Sequence, residues 1–186
     1  MEKLWSAYLL NLYRGVYSLF RLGDSYGRRG KSNTDALFPR FYCPVIQLDV
    51  PVLDNNGGLG IGAATRDMIR TRFTEWVSET TDERDGPGAG AMRDANKPQY
   101  EVCLIVDDYC LQKFAEARTD DERHEAPIIV LERDWTLGWM YARVEFLGSL
   151  YARLTEGPEH SAFYDVYTRP PRAFPDGANG FWKVGW

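Results

Sequence analysis

Histidine and cysteine are scarce in this 186-residue sequence, at two and three copies. His124 and His160 both stand in polar stretches with no partner motif beside them, so a histidine-assisted nucleophile has no local support. Cys43, Cys103 and Cys110 are odd in number and contain no C-x-x-C spacing, which fits neither a disulfide framework nor a zinc site. There is no N-x-S/T sequon, no G-x-S-x-G elbow and no internal repeat. An apolar run long enough to span a bilayer is missing too. These absences predict a soluble, intracellular chain without disulfides, placed in the cytoplasm.

Aromatic residues and acids are plentiful. Aromatics make up 14% of the chain and hydrophobic residues 44%, so there is material for a substantial core. The net charge of −5 conceals an asymmetry: residues 1–40 carry seven Lys/Arg against three Asp/Glu, and the rest is acidic. An acidic body repels a phosphate backbone, so generic nucleic-acid binding is not expected. The length fits a single domain over 1–186.

Residues 1–22 predict an amphipathic N-terminal helix. Leu4, Trp5, Tyr8, Leu9, Leu12, Val16, Leu19 and Phe20 recur at helical spacing, and Lys3, Ala7, Asn11, Arg14, Ser18 and Arg21 form the other side. Three uses are open to it: packing on the domain, a mitochondrial transit segment within residues 1–30, or attachment to an anionic membrane surface. Arg14, Arg21, Arg28 and Arg29 favour the last two, while Glu2 and Asp24 weaken both. Residues 23–40 read as a loop.

Pro44–Leu53 predicts a strand, with Pro51 confining it to an edge or ending it near Val50. The segment that follows, DNNGGLGIGAATRDMIRTRFTEWV, is a glycine-rich loop opening a helix whose apolar face is Met68, Ile69, Phe73, Trp76 and Val77. Backbone N–H groups at such a helix start can cradle a phosphate, and Gly58, Gly60, Gly62 and Thr65 are the candidate ligand-binding residues. The glycines do not make G-x-G-x-x-G, and no Walker lysine follows. A plain Asn56-Gly57 turn with Leu59–Ile61 pairing back is the competing reading. Residues 79–98 predict a long flexible loop, since they offer almost nothing to bury.

Gln99–Trp135 holds two short apolar runs, Val102–Val106 and Ile128–Leu131, each ending in acids. This predicts a β-α-β framework with strands buried on both faces. Either Asp107 or Asp108 caps the intervening helix, and Thr119-Asp-Asp-Glu122 matches a capping box for one further turn. Beyond Asp134, residues 139–144 predict a strand and 145–155 a helix. A further strand is expected at Phe163–Thr168. Residues 135–186 carry 12 of the 26 aromatics, as a cover for the sheet or as a stacking surface.

The expected fold is thus α/β or α+β, with a mixed sheet of four to five strands and three to four flanking helices. If its strands run parallel, Asp54, Asp107, Asp108, Glu132 and Asp134 converge at one sheet edge. Asp107, Asp108 and Asp134 would then suit Mg²⁺, with Asp107, Asp108, Glu132 and Asp134 as the catalytic carboxylates and Arg133 or Lys113 steadying a phosphate. Helix capping and strand exit explain the same acids without chemistry. The leading functional expectation is a non-catalytic domain acting by protein–protein contact or self-association, through the N-terminal helix or the aromatic C-terminal segment, with no resident cofactor. A Mg²⁺-dependent phosphoryl-transfer or hydrolase enzyme is the alternative, and a phosphate-binding module with the glycine loop is the third.

Overall fold

The computed structural model describes residues 2–26, 62–87, 101–133, 138–156, 163, 166–168 and 173–174. Helix α1 (Glu2–Tyr26) opens the chain. Helix α2 (Ala63–Asp85) precedes strand β1 (Val102–Ile105). Two short helices, α3 (Asp108–Glu116) and α4 (Asp120–His124), lead to strand β2 (Pro127–Glu132). Strand β3 (Trp139–Arg143), a 3-10 turn (Val144–Phe146) and helix α5 (Leu147–Glu156) follow, and the two-residue strand β4 (Ala173–Phe174) comes last. The architecture is α+β.

The sheet corrects the parallel expectation. β1 pairs antiparallel with β2, Val102 facing Glu132 and Ile105 facing Ile129, and β2 pairs antiparallel with β3. Among the described strands, only β4 runs parallel to its neighbour, β3. The β-α-β outline fails because the link between β1 and β2 holds two helices instead of one. The α3–α4 pair returns the chain to the end of the sheet at which β1 finishes, so β2 runs back alongside β1.

Residues Ile128 to Leu131 are all fully buried, so both faces of β2 are covered. Each such side chain contributes about 1.5–3 kcal/mol relative to exposure. The register puts Cys103, Ile105, Ile129, Leu131, Trp139 and Tyr141 on one face and Val102, Leu104, Ile128, Val130, Met140 and Ala142 on the other. Gly138, at φ +97°, takes a left-handed conformation where the chain enters β3, and its carbonyl accepts from Glu132 N at 3.0 Å.

α1 belongs to the core. Tyr8, Leu12 and Val16 are buried, and the helix packs on the 3-10 turn and on α3, α4 and α5. Its inward stripe is Tyr8, Asn11, Leu12, Gly15 and Val16, the i, i+3, i+4, i+7, i+8 pattern. Asn11, expected on the polar side, is therefore inside, where its Nδ2 donates to the Arg123 carbonyl at 2.8 Å. Gly15 allows a close approach: a Cβ there would lie 3.2 Å from Val144 O and 3.3 Å from Val144 Cγ1. Among the described residues, no helix is long and apolar enough to cross a membrane.

Three further expectations meet the structure here. Residues 79–85 are helical, the last turns of α2, so a loop cannot begin at 79. Thr81 explains this, since it is buried and returns its hydroxyl to the Val77 carbonyl, which gives a polar stretch something to bury. Phe163 and Val166 are helical, which corrects the strand expected there. Both are buried, and Tyr167 packs with them against the core, a spacing that suits one face of a helical turn. Residues 23–26 continue α1, which corrects the loop expected from 23. The strand expected at 44–53, the rest of that loop and the Leu59–Ile61 pairing lie outside the described residues.

Candidate functional site

The proposed acid cluster separates along the sheet. Asp107 lies two residues past Ile105, whereas Glu132 faces Val102 at the opposite end. Five residue steps divide them, roughly 17 Å along the strand direction at about 3.4 Å per residue. Asp54 and Asp134 lie outside the described residues. Among the described residues, no group of three His, Cys, Asp or Glu side chains is placed to hold a metal ion.

Each candidate residue that is described has a local role. Asp107 is the N-cap of α3, its Oδ1 accepting from Cys110 N at 2.9 Å. Asp108 is the exposed first residue of the same helix. Both suit the positive end of the helix dipole. The carbonyl of Glu132 accepts from Arg70 Nε at 2.9 Å. The cations expected to steady a phosphate are engaged within the fold: Arg133 with Glu101 at 3.3 Å and Lys113 with Glu116 at 2.7 Å. Thr119 and Glu122 form the capping box of α4.

Neither described thiol is primed as a nucleophile. Burial pushes Cys103 up to about 12. Burial, reinforced by the Asp107 carboxylate, raises Cys110 further. This outweighs the lowering that a first-turn position alone would bring.

Two features escape a reading of sequence. The first is Arg70, 5% exposed, which spans the β2–β3 connection by donating to the Glu132 carbonyl and, through Nη2 at 3.0 Å, to the Gly138 carbonyl. Burial lowers its pKa, with Asp67 acting in the opposite sense. The available signal was its position three and seven residues before Phe73 and Val77, on the same helix face. The second is a group of polar side chains around the start of α3. The Tyr8 hydroxyl donates to the Pro127 carbonyl at 2.6 Å. The Tyr141 hydroxyl is buried with no hydrogen-bond partner. Burial raises both phenols well above their usual range, and the Asp107 and Cys110 groups add to it.

At the head of α2, Gly62 is the N-cap, extended at φ −60° and ψ 161°, and it supplies no side-chain cap. Thr65 is 7% exposed and its Oγ1 is buried without a partner. Gly58 and Gly60 lie outside the described residues. The chain matches no protein-family model, no curated protein and no solved structure.

Proposed function

We propose that this chain is a non-catalytic, single-domain protein of the cytoplasm that works by protein–protein contact, and that the outer side of α1 is its contact surface. The supporting observation is Leu10, 51% exposed, on the side of α1 turned away from Tyr8, Leu12 and Val16. It is flanked at helical spacing by half-buried Tyr13 and Tyr17, and half-buried Leu9 borders the same side. A row of large apolar groups along one helix edge suits a partner better than a scattered one does. The described rings of the C-terminal segment favour the core instead, since Tyr141 and Phe163 are buried and Trp139 packs edge-on against Tyr141. With Asp107 and Glu132 at opposite ends of the sheet, Cys110 buried and Cys103 half-buried, the geometry gives a Mg²⁺-dependent or nucleophilic enzyme little to work with. The core residues of α1 likewise speak against a cleavable transit segment, whose loss would strip them from the fold.

The test compares the full chain with its Leu10→Glu variant by sedimentation equilibrium and by capture of proteins from the native cell extract. A partner, or a second copy, held by the native chain and lost by the variant at an unchanged melting temperature is the expected result. Equal association by both forms sinks the proposal.

A further inference from the structure

The head of α2 has the makings of an anion site. A helix start leaves its first N–H groups without intrahelical acceptors. Here Gly62 brings no side chain to meet them, and no acidic residue occupies the first turn. The same turn holds an independent irregularity, at Thr65. The other threonines of α2 with described hydroxyl contacts return them to the carbonyl four residues back: Thr71 to Asp67 at 2.9 Å, and Thr81 to Val77. Thr65 makes no such bond, although its Oγ1 is shut away from solvent. A buried hydroxyl left unpaired calls for an acceptor, because the alternative is an uncompensated loss of hydration.

Helical side chains tilt toward the N-terminus, so a hydroxyl on the third residue sits beside the first-turn N–H groups. An acceptor that reached those N–H groups would also reach Thr65. Ala63 and Ala64 are exposed, so such a group can approach from the helix end. Arg66, the next residue, has its guanidinium carbon 5.9 Å from the centre of the Trp139 ring and adds positive charge on the same turn. Helix dipole, backbone N–H groups, hydroxyl and guanidinium all favour one kind of ligand.

We propose that the first turn of α2, Ala63 to Arg66, binds a phosphate group, with the first-turn backbone N–H groups and the Thr65 hydroxyl as donors. The group is either inorganic phosphate or the phosphoryl end of a small metabolite. This does not depend on the α1 surface, and the experiments on each leave the other untouched.

The test is a titration of the full chain with inorganic phosphate and, separately, with a nucleoside monophosphate, against potassium chloride at matched ionic strength. Melting temperature and the backbone ¹⁵N–¹H spectrum are followed together. The expected result is a saturable rise in melting temperature, with the largest shifts at the amides of residues 63–66. Thr65→Val should weaken the half-saturation point about fivefold, the worth of one hydrogen bond, while Thr65→Ser keeps it near the native value. Tighter binding of the monophosphate than of free phosphate identifies a metabolite as the source, and equal binding identifies free phosphate. No saturable response to either probe overturns the proposal. So do shifts confined to other amides, or a Thr65→Val variant that responds like the native chain. If the valine variant does not fold, the amide map of the native chain and the serine variant still decide.

Discussion

α1 and α2 are nearly equal in length, 25 and 23 residues, yet they meet the rest of the chain through different chemistry. α1 inserts an apolar stripe, interrupted by Asn11 and by Gly15 where Val144 comes closest. α2 contributes a smaller cluster, Phe73 and Val77 with Trp76 and Cys103, and is fastened by the guanidinium of Arg70. The first attachment is mainly burial, which spreads over many atoms and tolerates small shifts. The second is concentrated in a fork of charge-assisted hydrogen bonds, which loses most of its worth when one side chain changes.

The contrast can be broken by truncation, and the largest effect is expected on the α1 side. Leu12→Ala should lower the unfolding free energy by about 2–5 kcal/mol in urea titration, and Val77→Ala by about 2 kcal/mol or less. Equal losses would show that the helices are held alike. Next in size, Arg70→Met should cost about 2–3 kcal/mol by removing the guanidinium donors to the Glu132 and Gly138 carbonyls, the second of which keeps its bond from Glu132 N, and Arg70→Lys should recover little, because an ammonium cannot reproduce the fork.

A smaller and sharper test uses two tyrosines of opposite standing. Tyr8→Phe removes the bond that ties α1 to Pro127, and should cost about 1 kcal/mol. Tyr141→Phe removes a buried hydroxyl with no partner, and should raise the melting temperature by an amount worth about 1 kcal/mol. Two losses of the same size would mean that Tyr141 has an acceptor after all.

The smallest expected effect is a slope in pH. Glu145, in the 3-10 turn under α1, has its pKa raised by partial burial and then by the Glu125 carboxylate, against the pull of Arg143. The folded state therefore binds this proton more tightly than the unfolded chain does. Its contribution is complete below the ordinary glutamate value and is lost as pH rises through the folded pKa. Glu145→Gln should flatten that decline when urea midpoints are compared at about pH 4 and about pH 7. An identical slope in both proteins would remove Glu145 from the account.

How much of this was legible follows from what each signal encodes. The helical stripe of residues 4–20 and the apolar runs at 102–106 and 128–131 announced α1, β1 and β2, because burial patterns are local. The Thr119–Glu122 capping box and the N-cap before α3 were readable for the same reason, as their partners lie within three residues. Strand direction was not. It depends on where α3 and α4 leave the chain, and apolar runs look alike in parallel and antiparallel pairs. The meeting of Glu132 with Asp107 and Asp108 fell with that one assumption, since reversing β2 carries Glu132 to the far end. Asn11 and Arg70 were hidden because each is polar by type and buried by partnership, with its acceptor more than sixty positions away.

That separation has a consequence for how the chain is made. Tyr8 finds its acceptor 119 positions later and Asn11 finds its own 112 positions later. At a synthesis rate of about 5–20 residues per second, the inward face of α1 leaves the ribosome roughly 6–24 s before the strand that completes it. A lone helix of this length is only marginally stable in water, and its stripe is apolar. For that interval α1 is a sticky, half-formed segment, and chaperones or premature contacts compete for the surface that later becomes the middle of the core.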